Sequence, residues 1–222
     1  SIDRVRYRCL LDGRIVTAVG GRLIDSNGII VGDRVRLDGD TSAEEGTLAR
    51  VVEVLDRSTM LRRSADDADT FERPIVANAD QLFIVTALAD PPPRVGMIDR
   101  ILVAAYDAGI EPMLCLTKAD LASPDELRAA YEPLGVPILV TEPGSDLADV
   151  VDILTDHVTV FVGHSGVGKS TLVNRLVPDA NRATAEVSEL TGKGRHTSTS
   201  ALAMELPDGG WIIDTPGVRS FG

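Results

Sequence analysis

Residues 163–170 have the sequence Gly-His-Ser-Gly-Val-Gly-Lys-Ser and match the pattern G-x-x-x-x-G-K-[ST]. An apolar run, 158–162, precedes them and an amphipathic run, 171–177, follows, which predicts a strand before the loop and a helix after it. Glycines in this context let the backbone wrap around a pyrophosphate, with N–H groups and the helix start directed at it. The pattern therefore predicts a phosphate-binding loop in an α/β sheet, and a glycine-rich turn without ligand is the alternative.

The side chains of this loop have separate expected roles. Lys169 is expected to neutralise β- and γ-phosphate oxygens, which makes it a catalytic candidate, and Ser170 is expected to hold Mg²⁺. The residues expected to contact nucleotide here are Gly163, His164, Ser165, Gly166, Val167, Gly168, Lys169, Ser170 and Thr171.

A second motif, Asp214-Thr215-Pro216-Gly217, follows the apolar run 211–213. An aspartate at a strand end beside a phosphate loop can hold Mg²⁺ through water, and the glycine N–H can face a γ-phosphate. Asp214 and Gly217 are therefore further site candidates. By itself the tetrapeptide is a weak signal that also fits an ordinary Pro-Gly turn, but its pairing with the phosphate loop 44 residues earlier makes it a strong one.

The third motif, Thr117-Lys118-Ala119-Asp120, follows the apolar run 113–116 and resembles the guanine-reading Asn-Lys-x-Asp of GTPases. In that motif the aspartate accepts hydrogen bonds from guanine N1–H and its amino group, while the lysine stem covers the base. Because adenine lacks this donor pair, Asp120 disfavours ATP. Thr117 leaves one hydroxyl where an asparagine amide could bridge to the phosphate loop, which predicts somewhat weaker base affinity.

The order of the motifs differs from that of ordinary GTPases, because Lys118 precedes Lys169 by 51 residues. The chain is therefore predicted to contain a circularly permuted P-loop GTPase domain with a mostly parallel sheet and helices on both faces. The predicted strands are 81–88, 113–116, 137–140, 158–162 and 211–213. The predicted helices include 94–108 and 146–156. A further helix is predicted to start at a capping box from Ser123 to Glu126, with Pro124 at its first position.

The N-terminal part has a different pattern, with short alternating runs separated by Asp-Gly, Gly-Gly and Asn-Gly turn signals. About five or six strands are expected over 1–63, which suits an OB-like β-barrel. The acidic stretch 64–72 is interpreted as a linker. The predicted domains are 1–70, the barrel, and 71–222, the GTPase domain.

Composition limits the compartment and the partners. The two cysteines, Cys9 and Cys115, cannot form a disulfide framework or a four-ligand zinc site, so a reducing cytoplasm is expected. No run is long and apolar enough to span a bilayer, which excludes a membrane protein. The net charge of −12 argues at first against nucleic acid. Residues 1–73, however, hold 12 arginines against 14 acidic residues, so the barrel could still contact RNA; solvated strand faces are the alternative.

The polar segment 186–200 lies where switch I of a GTPase is expected, between the phosphate-loop helix and Asp214. A hydroxyl there would complete the Mg²⁺ shell. Thr197 and Thr199 are both candidates, Thr199 also as a catalytic residue, and their spacing does not choose between them.

This succession of a β-barrel, TKAD, GHSGVGKST, GKGRHTSTS and DTPGV resembles the ribosome small-subunit-dependent GTPase A family (RsgA, also called YjeQ) over essentially the whole chain. The resemblance implies an OB-fold, hydrolysis of GTP to GDP with Mg²⁺, and late maturation of the 30S subunit with its rRNA as partner. It also makes His196 a candidate for positioning water; a solvated loop histidine is the alternative. A monomer is expected.

Two departures from the family pattern affect these expectations. Val218 stands where many GTPases carry a water-orienting glutamine, which predicts slow intrinsic turnover raised by the ribosomal subunit. Family members also carry a C-terminal zinc-binding helical domain, whereas this sequence stops at Gly222 without its cysteines, so zinc is expected only in that missing part. The alternatives are a permuted GTPase acting on another ribosomal or RNA target, and a nucleotide-dependent RNA-binding scaffold with little catalysis.

Overall fold

The structure is a computed structural model, and it describes residues 6–21, 24, 28–64, 72–178 and 201–215. Within these ranges the chain forms twelve strands, four α-helices and one 3-10 helix. No helix in these ranges is both long enough and apolar enough to cross a membrane.

Four strands form an N-terminal sheet in the order β1-β2-β4-β3. Their bounds are β1 (Arg6–Leu11), β2 (Arg14–Gly20), β3 (Val35–Gly39) and β4 (Ala49–Val54). Asp12 and Gly13 both have positive φ, 50° and 75°, which suits the tight turn that their sequence predicts between β1 and β2. The alternating pattern buries Val16, Ala18, Ala49 and Val51 in a small core, so the expected N-terminal β structure is confirmed.

A hairpin of β5 (Met60–Ser64) and β6 (Glu72–Ala77) follows. It differs from the linker expected over 64–72, because Ser64 and Glu72 are cross-strand partners and the acidic stretch connects two paired strands. Leu61 and Val76 are fully buried in the core of the following α/β part, against the helix that comes next. The domain boundary at 70/71 stays a prediction.

The larger sheet has six strands in the order β11-β12-β10-β7-β8-β9. Their bounds are β7 (Gln81–Ala87), β8 (Glu111–Thr117), β9 (Ile138–Val140), β10 (Val158–Val162), β11 (Leu202–Glu205) and β12 (Trp211–Asp214). All neighbours are parallel except β11, which is antiparallel to β12. The mostly parallel sheet is confirmed; β11 was not expected.

The helices cover both faces of this sheet. Their bounds are α1 (Val95–Asp107), α2 (Asp125–Tyr131), α3 (Ala148–Leu154) and α4 (Lys169–Leu176), with a 3-10 turn at Glu132–Leu134. Along β7, Leu82 and Ile84 join the buried cluster of α1 and α2, whereas Phe83 and Val85 join that of α3 and α4. This period-two alternation is what a strand covered on both sides requires.

The capping box expected at the start of α2 is wrong. The helix begins one residue later, after Pro124 as its N-cap, and no side chain caps it. Ser123 Oγ instead accepts a hydrogen bond from the Asp125 N–H at 3.2 Å, which closes a local turn two residues long.

Candidate nucleotide-binding site

The site lies where the parallel strands end, since their carboxyl ends meet at one edge of the sheet. Strand β10 leads into the loop 163–168, and α4 starts at Lys169. Gly166 and Gly168 have φ of 85° and 89°, a region that side chains other than glycine rarely adopt. A Cβ on Gly163 would lie 2.5 Å from Val85 O, so only glycine lets β10 pass β7 here. The loop geometry and the helix start suit an anion.

Lys169 and Asp214 meet across the site although they are 45 residues apart in the chain. The Lys169 ammonium donates to Asp214 Oδ1, and the two side chains are 10% and 27% exposed. The contact follows from the sheet, because Asp214 ends β12 opposite Phe161 of β10. Thr215 secures the same strand end by donating its hydroxyl to Phe161 O at 2.8 Å. Two of the predicted motifs are therefore brought together.

Thr117 connects the third motif to the phosphate loop. Its hydroxyl lies 2.6 Å from Val167 O and 3.4 Å from Thr86 O, and its side chain is buried. The sequence suggested that threonine loses a bridge that asparagine could make. The structure shows that one hydroxyl is enough to reach the phosphate loop.

Lys118 is held by the loop between β7 and α1, which none of the three predicted motifs includes. Its φ is 60°, and its ammonium donates to the backbone oxygen of Asp90, just after β7. A Cβ on Gly166 would lie 3.5 Å from Pro91 Cδ, so the same loop also flanks the phosphate loop. The three prolines at 91–93, directly after a strand at the carboxyl edge, were the available signal.

Asp120 is exposed, and its neighbour Ala119 lies against Thr141, the residue that precedes a turn, 142–145, which no predicted motif includes. The Ala119 N–H donates to Thr141 O at 3.2 Å, and the Thr141 N–H donates to Leu116 O at 2.8 Å. In β8, burial raises the pKa of the Cys115 thiol to about 12, so this thiol stays neutral at pH 7. The strand end before the turn is thus hydrogen-bonded to the base motif at Ala119.

His164 lies on the α1 side of the phosphate loop. Its Nδ1 is 2.9 Å from Ser165 O, and its Nε2 is buried without a hydrogen-bond partner. The ring lines a small cavity with Thr86, Arg94 and Met97. A contact of His164 with nucleotide stays a prediction.

Several predicted residues lie outside the described ranges, so their positions are not part of the site geometry. They are Lys193, His196, Thr197, Thr199, Gly217 and Val218. In the ranges that the structure does describe, no three His, Cys, Asp or Glu side chains cluster as metal ligands. The Ser170 hydroxyl, exposed in the first turn of α4, and the partly exposed Asp214 carboxylate are oxygen donors of the type that Mg²⁺ prefers, so these residues fit the ion.

The site combines a phosphate loop at the edge of a parallel sheet with an aspartate at the end of a neighbouring strand. A motif of the guanine-reading type, which comes earlier in the chain, is hydrogen-bonded to the same loop. These features define a P-loop nucleotide-binding protein with permuted motif order. The family model described as RsgA GTPase matches residues 54–222, and the chain belongs to that family.

Relatives and solved structures agree with this assignment. The chain is 38% identical to the "Small ribosomal subunit biogenesis GTPase RsgA" of Chlorobaculum tepidum, covering 99% of this chain and 72% of that protein. It is 46% identical to the protein of the same name from Azotobacter vinelandii, covering 67% of this chain and 46% of that one. The chain thus spans about half the length of several curated relatives that it matches.

Two solved structures have the same fold. The crystal structure of YjeQ from Thermotoga maritima is 26% identical with a TM-score of 0.68, covering 97% of this chain and 71% of that one. The structure of YloQ, described as a circularly permuted GTPase, is 26% identical with a TM-score of 0.62, covering 94% and 65%.

Proposed function

We propose that this protein binds GTP, hydrolyses it to GDP and phosphate, and acts in late maturation of the small (30S) ribosomal subunit. The observation that carries the proposal is the hydrogen bond from Thr117 Oγ1 to Val167 O, because it brings a guanine-type motif against a phosphate loop. The relatives' names, small ribosomal subunit biogenesis GTPase, support the choice of target.

Two groups of residues would bind different parts of GTP, one the guanine base and the other the phosphates. Asp120 would read guanine N1–H and its amino group, with the Lys118 stem over the base. The amides of 163–170 and the start of α4 would hold the phosphates, and Lys169 would leave Asp214 to neutralise their β- and γ-oxygens. Gly217 and Thr171 complete the proposed set of contacts.

Magnesium would be held by Ser170 and Asp214, with Thr197 or Thr199 as a further ligand, and when bound it neutralises charge on the phosphate oxygens. Attack by water on the γ-phosphate is proposed to depend on Lys169 for charge stabilisation and on His196 or Thr199 for placing the water. Val218 has no hydrogen-bonding side chain. Turnover by the protein alone is therefore proposed to be slow and to rise when the subunit orders the segments around the site.

The remaining proposals concern the setting of the protein. We place it in the cytoplasm as a monomer, with residues 1–70 contacting rRNA and residues 71–222 carrying the nucleotide. The four-stranded N-terminal sheet with its exposed arginines supports the rRNA contact.

The test is GTP turnover by the natural protein with and without purified 30S subunits, with 50S subunits as a second arm. We expect acceleration by 30S alone, abolished by Lys169→Ala. Asp120→Ala should weaken GTP binding by about 100-fold and leave ATP binding unchanged, since it removes two hydrogen bonds to a charged acceptor. Acceleration by 50S only would favour another ribosomal target. Binding without acceleration by either would favour a nucleotide-dependent scaffold.

A further inference from the structure

Helix α4 connects the phosphate loop to a part of the site that the motifs do not cover. It begins at Lys169 and carries Arg175 in its last turn. The Arg175 guanidinium donates to the backbone oxygen of Ser145. Ser145 belongs to the turn 142–145 between β9 and α3, and Thr141, directly before this turn, accepts a hydrogen bond from the Ala119 N–H of the base motif.

The turn 142–145 is closed by its own hydrogen bonds. Ser145 N–H and Ser145 Oγ both donate to Glu142 O, at 3.2 Å and 2.9 Å, and Glu142 N–H donates to Ser145 Oγ at 3.3 Å. Gly144 takes the positive φ of 81° that this reversal requires. A turn held in this way moves as a unit, and its first neighbour, Thr141, is bonded to Ala119 of the base motif.

Buried packing places the turn next to α4. Leu147, directly after the turn, and Val150 of α3 share one buried cluster with Leu172 and Leu176 of α4. The two helices are therefore fixed side by side by apolar contacts, which brings the exposed Arg175 within reach of Ser145.

Two hydrogen bonds then join the base side of the site to the phosphate side. Thr117 reaches the phosphate loop from one side, and Arg175 reaches the turn 142–145 from the other. We infer that Arg175 is a positioning residue, which holds this turn against α4 and so fixes Thr141 and, through it, the base motif 117–120. The inference rests on the proposed GTP site. It assigns Arg175 no contact with nucleotide.

Removal of Arg175 should weaken the binding of some ligands and not of others. Without Arg175 the turn loses its hydrogen bond to α4 and keeps only the apolar packing of Leu147 beside it, while the contacts of the loop 163–168 and Lys169 are unchanged. Ligands with a guanine base should bind more weakly, and a ligand that consists of phosphates alone should not.

The test measures dissociation constants of GDP and, by displacement of a fluorescent GDP, of inorganic pyrophosphate, for three variants of the 222-residue chain. Arg175→Ala should weaken GDP binding by about 3- to 10-fold, the range of one ordinary hydrogen bond, and leave pyrophosphate binding unchanged. Arg175→Lys should recover part of the loss. Asn174→Ala, exposed on the same turn of the helix, is the matched control and should change neither constant.

Unchanged GDP affinity in Arg175→Ala would overturn the inference. An equal loss for GDP and pyrophosphate would also overturn it, because Arg175 would then act through the phosphate loop. If the unaltered chain binds neither ligand, the proposed function itself fails.

Discussion

Thr117 shows how one buried hydroxyl can connect two motifs. It donates to Val167 O, and both residues are almost fully buried. Thr117→Val keeps the shape but leaves that carbonyl without its donor, which costs roughly 1–3 kcal/mol. We expect a lower free energy of unfolding and about 5-fold or weaker binding of GDP, measured by denaturant titration and by fluorescence.

Thr117→Ser is the control for this prediction, because it keeps the hydroxyl and should stay close to the unaltered protein. A valine variant that binds GDP with unchanged affinity would show that the bond to Val167 does not set the loop.

Asp214 and Lys169 have different proposed partners: Lys169 would bind the phosphate oxygens of the nucleotide, and Asp214 would bind Mg²⁺. The two side chains pair with each other, so nucleotide without Mg²⁺ must separate them and bring phosphate charge close to the carboxylate. Asp214→Asn removes this repulsion but also an expected Mg²⁺ ligand. We therefore expect the variant to bind GDP more tightly than the unaltered protein in EDTA and more weakly in Mg²⁺. In each buffer the dissociation constant should change by about 5-fold, which corresponds to ~1 kcal/mol of binding free energy.

The matched control is Asp149→Asn on the exposed side of α3, which changes the net charge equally and should shift neither constant. A change of the same sign in both buffers would contradict the exchange between the ion pair and the ligand.

At the scale of elements, the approach of β10 to β7 at the start of the phosphate loop depends on Gly163. A methyl group added there would lie 2.5 Å from Val85 O, which is closer than side-chain carbons come to a backbone oxygen. Gly163→Ala should therefore separate the strands and lower the free energy of unfolding by ~1–3 kcal/mol, with weaker GDP binding. Denaturant titration and GDP fluorescence titration measure the two effects.

Gly96→Ala is the comparison variant for Gly163→Ala. Gly96 lies in α1, and its added Cβ would meet nothing within 4 Å, so alanine should be neutral or stabilising by up to ~1 kcal/mol. Equal stability of the two variants would contradict the close approach at Gly163.

The elements that could be predicted are those whose own residues determine them. The continuous apolar run of β7 and the octapeptide at 163–170 each indicate their structure locally. Strand β11 could not be predicted in this way, because four residues, Leu-Ala-Met-Glu, form a strand only through pairing with β12 across the turn at 207–210. The turn 142–145 carries a Pro-Gly turn signal, but its own residues do not indicate that it lies against α4, because that contact depends on the packing of α3 on α4.

At the scale of the whole molecule, polar contacts join the N-terminal sheet to the α/β part. Arg57 forms two hydrogen bonds with Asp33, at 2.7 Å and 2.9 Å, and Asp33 is almost completely buried. The Asn78 side chain donates to Gly32 O at 2.9 Å and accepts from Ser58 N–H at 2.8 Å. Asn78 lies between β6 and β7, and β7 leads at its other end to the loop that holds Lys118.

The charge of the molecule is also divided between these parts. Residues 74–222 hold 10 basic and 20 acidic residues, whereas residues 1–73 are close to neutral. Of only three lysines in the chain, Lys118 and Lys169 lie in the candidate site and Lys193 lies outside the described residues. The basic groups of the N-terminal part are all arginines, which suit phosphate and base contacts.

Binding to the small subunit should therefore weaken as salt rises, and the N-terminal sheet should carry that dependence. Arg6 and Arg50 are exposed and lie opposite the same residue, Val19, on β1 and β4. Arg6→Gln with Arg50→Gln should lower the slope of log affinity against log salt by roughly 1–2, as expected for two lost phosphate contacts. Arg100→Gln, exposed on α1, is the control and should leave the slope unchanged. Co-sedimentation with 30S subunits over a salt series measures it, and affinity independent of salt would exclude rRNA docking through this sheet.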